Sequence, residues 1–154
     1  MIVNKFHRNY DPSYFWQILS SNFNNLESIG RGFHFSNFKV VAQGSFPFAL
    51  SIARPGFLVG LVLDEWVNAL KLLKEVRHPL IPPMEFGVHD ETAYYITPYC
   101  AENITSRKAL KDPLQSLSEA LRKKRLYVDD YWQVKLMDGH PFVIDWSDLK
   151  MSKF

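Results

Sequence analysis

The chain has 154 residues, 47% of them hydrophobic and 15% aromatic, which suits one domain with one sizeable core and argues against two independent ones. No apolar run approaches the ~18 residues of a membrane span, because residues 57–63 are broken by Gly60 and followed by Asp64 and Glu65, and no secretory leader pattern is visible, so a soluble, cytoplasmic protein is the expectation. The lone Cys100 excludes an internal disulfide and a zinc site on paired cysteines, while the net charge of +2 is unevenly spread: residues 107–125 hold seven Lys/Arg against Asp112 and Glu119, leaving about −3 for the rest.

There is no internal repeat, low-complexity tract or long linker, and the Gly and Pro residues punctuate short elements. Asp11-Pro12 predicts a helix start, a capping acceptor followed by proline at the first helical position, with Phe15, Ile18 and Leu19 as the apolar stripe. Residues 26–53 are rich in Phe, Val and Ile and alternate at 38–40 and 48–52, which predicts successive antiparallel strands turned at Gly30, Gly32, Gly44 and Pro47. Asp64 can cap a second helix over 64–77, with Trp66, Val67, Leu70, Leu73 and Val76 at helical spacing, ending before His78-Pro79 and lying across the sheet. Residues 84–89 and 93–98 read as a hairpin around Asp90-Glu91-Thr92. A third helix starts at Asp112-Pro113, buries Leu114, Leu117 and Leu121, and runs into Arg122-Lys123-Lys124-Arg125. Positive residues at a helix C-terminus favour the helix dipole, and a nucleic-acid or acidic-partner contact is the other reading of the cluster. Residues 133–137 and 141–145 form a last hairpin around Asp138-Gly139, among the strongest short hairpin signals.

This order, with Gly30-Arg31-Gly32-Phe33-His34-Phe35-Ser36 between the first two strands, resembles a protein-kinase amino-terminal lobe followed by the catalytic hairpin, over about residues 26–149. Ala49-Leu50-Ser51 falls where kinases carry an Ala-x-Lys strand, and Leu70 through His78-Pro79-Leu80-Ile81 resembles the end of the regulatory helix and its His-Pro turn. Tyr95-Ile96-Thr97-Pro98-Tyr99-Cys100 resembles the strand entering the interlobe hinge, and Val143-Ile144-Asp145-Trp146-Ser147 resembles the metal-binding segment in the Ile-Asp-Trp form of aminoglycoside-phosphotransferase-like relatives. The resemblance implies an α+β fold: a five-stranded antiparallel sheet plus helix, then a minimal carboxy-terminal part carrying a catalytic-type hairpin. It implies one kinase-like domain over 1–154, divided into an N-terminal helical extension (1–25), an N-lobe-like part (26–100) and a truncated C-lobe-like part (101–154).

By the same resemblance, Asp145 and Gln133, twelve residues apart, are the candidate Mg²⁺ ligands, the amide oxygen of Gln133 standing for that of the usual asparagine. A solvated turn aspartate and a strand-edge glutamine are the plainer readings. Gly30, Gly32 and Lys39 are the candidate nucleotide contacts; Lys39 shares strand parity with Asn37 and Phe35 and can point beneath the glycine loop, or stand as an exposed strand lysine. ATP and Mg²⁺ are the implied cofactors. A lone His34 at the loop tip has no visible partner.

The departures bear directly on activity, because phosphoryl transfer depends on positioned charge. Ser51 occupies the expected lysine position, and Ala69 stands where the paired glutamate belongs, Glu65 falling about one helical turn too early. The catalytic aspartate belongs at Val128, whereas Asp129 and Asp130, the candidate catalytic residues, come one and two residues late. The short stretch 146–154 after Asp145 does not encode a peptide-docking lobe. The sequence therefore points to a truncated pseudokinase-like module that binds a protein partner or itself, with an atypical ATP-dependent kinase as the alternative and a nucleic-acid contact through Arg122, Lys123, Lys124 and Arg125 as the weakest reading.

Overall fold

The computed structural model describes residues 27–31, 35–40, 48–53, 61–89, 92–128 and 133–152. The expected N-terminal helix, Gly32, His34, Asp129 and Asp130 lie outside the described residues. The chain divides into two compact units, residues 1–57 with 83–99 and residues 58–82 with 100–154. Its fold is α+β with antiparallel sheets, as the sequence predicts, and no helix among the described residues is long and apolar enough to cross a membrane.

The first unit is built on five strands, β1 (Glu27–Arg31), β2 (Phe35–Val40), β3 (Phe48–Ala53), β4 (Glu85–His89) and β5 (Thr92–Pro98), in the order β1-β2-β3-β5-β4. All neighbours are antiparallel, with a bulge between Ser28 and Gly30 on β1. The alternating Phe, Val and Ile runs form strands because branched and aromatic side chains suit a pleated, half-buried surface. Cross-strand pairing puts Asn37, Ser51 and Tyr95 on one face and Phe38, Leu50 and Ile96 on the other. Both faces of central β3 are buried, and Leu50 and Ile96 are fully so. On the face of Ser51, Phe35 meets Tyr95 edge to face with ring centroids 5.2 Å apart. Gly87 on β4 pairs with buried Tyr94, whose hydroxyl would lie 2.8 Å from an added Cβ; only glycine leaves that ring its place.

The second unit holds α1 (Leu61–Leu73), β6 (Glu102–Asn103), a 3₁₀ turn (Lys108–Leu110), α2 (Lys111–Lys123), β7 (Leu126–Val128), β8 (Val134–Met137), β9 (His140–Val143) and β10 (Leu149–Met151). Helix α1 begins one turn before the expected cap, so Asp64 sits in its first turn and complements the helix dipole instead of capping. Trp66, Ala69, Leu70 and Leu73 form its buried stripe, and within its unit α1 packs on β10 and β7. Asp112-Pro113 likewise fall inside the first turn of α2, because the preceding 3₁₀ turn starts the coil earlier; the cap position is Leu110, without a side-chain capping bond. Leu117 and Leu121 fix the buried side of α2.

The hairpin forms as the Asp138-Gly139 pair predicts. Asp138 has φ +50° and Gly139 φ +78°, the paired positive values of a type I′ turn, whose twist matches that of the strands. β6 adds to the other edge of β8, giving the order β6-β8-β9, and β7 pairs with β10 in a separate two-stranded sheet. These three added strands have only two or three residues each, too few for an alternation to be visible in the sequence.

Candidate functional site

The open end of the β8-β9 hairpin carries the two candidate metal ligands. The Ile144 N–H donates to the Gln133 carbonyl at 2.9 Å, continuing the ladder one step past the Val134–Val143 pair, and Asp145 follows directly. Asp145 is held between two fixed neighbours. Trp146 is fully buried, its indole N–H donating to the Val143 carbonyl at 3.0 Å while its own carbonyl accepts from the Trp66 indole at 3.2 Å. One carboxylate oxygen, Oδ1, accepts from the Ser147 N–H at 3.0 Å and the Ser147 hydroxyl at 2.7 Å. Among the described residues the other oxygen, Oδ2, has no partner, and the Gln133 side chain is exposed.

Val128, the last described residue before them, pairs with Leu149, and the candidate catalytic Asp129 and Asp130 lie outside the described residues. Among the described residues no group of three or more His, Cys, Asp or Glu could hold a metal. Two oxygen donors at the hairpin end have the chemistry for Mg²⁺, which keeps several waters and completes its shell on phosphate oxygens.

On the five-stranded sheet, Gly30 pairs with Asn37 and Asn37 with Ser51. Ser51 is only 5% exposed, and its hydroxyl donates to Asn37 Oδ1 at 2.6 Å. The hydroxyl at the expected lysine position is thus satisfied inside the sheet by its cross-strand neighbour. Lys39 does share the face of Asn37 and Ser51, as its parity predicts, but it pairs with Ala49, at the end of β2 away from the β1-β2 turn. Its ammonium lies 4.6 Å over the Tyr99 ring, a cation–π contact. On α1, Ala69 is fully buried and Glu65 exposed.

Two partners escaped the sequence reading. Ser147 is signalled by the Asp-x-Ser spacing, which lets a carboxylate cap its own turn, and Asn37 by sharing strand parity with Lys39 inside an otherwise aromatic stretch. Buried Cys100 has its thiol pushed up to about 11 by desolvation, a shift that Lys135 only partly opposes, so it stays protonated and unreactive near neutral pH. Of the basic cluster, Arg122 and Lys123 close α2, and Lys124 bonds Glu75 at 3.2 Å. No family model matches the chain, and no curated protein matches it.

Proposed function

We propose that this chain is a degenerate, pseudokinase-like module that acts by binding a macromolecular partner and whose nucleotide pocket is vestigial. The observation that carries this reading is the Ser51–Asn37 pair. In kinase-like folds the centre of the third strand supplies a cation to the phosphates, whereas here that position is a buried hydroxyl already bonded to Asn37. Ala69, fully buried, stands where the resemblance puts the paired glutamate. Positioned charge is the main thing a protein contributes to phosphoryl transfer, so these two replacements remove more than the late Asp129 and Asp130 could return. The sheet order β1-β2-β3-β5-β4 and a hairpin bearing Gln133 and Asp145 at its open end support the kinase-like part of the reading.

An atypical ATP-dependent kinase is the second reading, favoured by the carboxylate of Asp145, fixed by Ser147 through one oxygen and open at the other. Calorimetry of the purified chain with Mg²⁺-ATP separates the two. Weak or no binding is expected; tight binding abolished by Asp145→Ala would overturn the non-catalytic reading. Any γ-phosphate transfer that remained would then be abolished by Asp145→Ala and Lys39→Met and only reduced by Asp129→Asn, because metal and phosphate positioning dominate a loose transition state.

A further inference from the structure

The C-terminal end of α2 and strand β7 enclose a groove of about 470 Å³, within the range of about 300–1,000 Å³ typical of ligand sites. Ser118, Leu121, Arg122, Arg125, Leu126 and Tyr127 line it. The backbone arranges these charges. Arg125 takes the left-handed conformation, φ +59°, just after the helix, where glycine or asparagine is usual, and its N–H donates to the Arg122 carbonyl at 2.9 Å. That turn leads the chain into β7 with Arg122 and Arg125 on the groove, while Lys123 does not line it and Lys124 is engaged by Glu75. Among the described residues neither arginine has an ion-pair partner. Tyr127, 41% exposed, presents an aromatic ring beside them.

We infer that this groove docks a carboxylate-rich segment of a protein partner, its acidic side chains meeting Arg122 and Arg125 and an apolar side chain between them resting against the exposed Tyr127 ring. The inference rests on the reading of the chain as a binding module and names the chemistry of what it binds. Guanidinium forks match carboxylates two bonds at a time, and arginine and tyrosine are the residue types that concentrate binding energy at interfaces. A nucleic-acid backbone fits less well. It calls for a basic stripe along an extended track, whereas two of the four clustered cations line this recess and the other two do not.

The test is fluorescence anisotropy with a fluorescein-labelled Glu-Asp-Leu-Asp-Glu peptide, its Gln-Asn-Leu-Asn-Gln counterpart and a labelled oligouridylate. The acidic peptide should bind and the neutral one should not. Arg122→Gln and Arg125→Gly should each weaken binding by about tenfold, the loss of a bidentate charged contact, and Lys123→Gln by less than about twofold, a screened charge outside the groove. Equal losses for all three variants, absence of peptide binding, or oligouridylate binding more tightly than the peptide would each overturn the inference. Circular dichroism of the variants separates lost contacts from lost fold. Peptide binding is scored independently of Mg²⁺-ATP, so failure here and failure of the non-catalytic reading are told apart by which titration gives the unexpected answer.

Discussion

Arg125→Gly should raise the stability of the fold while weakening the groove, and the opposition follows from one dihedral angle. Arg125 sits at φ +59°, a conformation that costs a residue with a Cβ about 1–2 kcal/mol. Its side chain is exposed, so truncation uncovers little core. Both main-chain bonds, from its N–H to the Arg122 carbonyl at 2.9 Å and from the Ser152 N–H to its carbonyl at 2.7 Å, survive any substitution other than proline. Glycine releases the strain but loses more entropy on folding, about 0.5–1 kcal/mol, which leaves a net gain of roughly 0.5–1 kcal/mol. For a chain of this size that is a rise in melting midpoint of roughly 1–4 °C. The assay is differential scanning calorimetry of the wild type, Arg125→Gly and Arg125→Ala. The alanine variant keeps the strain and loses the side chain, so it should melt with or slightly below the wild type. If glycine and alanine melt together, or glycine melts lower than the wild type, the strain argument is wrong.

Trp66→Phe removes one of the two N–H groups that reach the Trp146 carbonyl, the other being that of Leu149 at 3.3 Å. Losing the indole bond while the second donor stays should cost about 0.5–1.5 kcal/mol, read as a lower urea midpoint. His78 gives the chain a pH dependence. Its Nδ1 accepts from the Leu80 N–H at 3.1 Å, so in the neutral ring the proton is on Nε2, which donates to the Ser116 hydroxyl at 3.1 Å. Desolvation lowers its pKa below the ordinary 6.5. Between the lowered folded value and 6.5 the unfolded chain binds more protons, so this contribution is full above about pH 6.5 and is lost as pH falls through that window. Denaturation midpoints measured from pH 7.5 down to 5 should fall, and His78→Asn should flatten the decline.

Legibility differed with the range of the signal that fixes each element. The β8-β9 hairpin was readable because Asp138-Gly139 is a local device: two residues whose tolerance of positive φ dictates the turn. The strands of the five-stranded sheet were readable from alternation, and the parity of Lys39 with Asn37 holds in the register. The helix starts were not. Asp64 and Asp112-Pro113 have the chemistry of starts, yet the helices run from Leu61 and Lys111, the second because a 3₁₀ turn leads into it. What the charged ends of side chains meet was also hidden: Lys39 over Tyr99 and Ser147 on Asp145 are contacts set by packing and turn geometry, which no periodicity encodes.

The Asp145 turn and the centre of β3 differ in the same way, by the range of the contacts that hold them. Asp145 depends on its immediate neighbours alone: Ser147 two residues on, Trp146 beside it and the hairpin ladder behind it. Such a local arrangement survives changes elsewhere in the fold. The centre of β3 depends instead on a partner far away in sequence. Ser51 is 5% exposed and bonded to Asn37 across the sheet, a pair that satisfies itself. A lysine placed there alone would bring an ammonium into a buried site whose cross-strand partner on β2 is a neutral amide, and a buried charge without an acidic partner is strongly disfavoured. Ala69, fully buried on α1, cannot be exchanged for glutamate without burying a second charge. Either substitution alone therefore destabilises the unit that carries it.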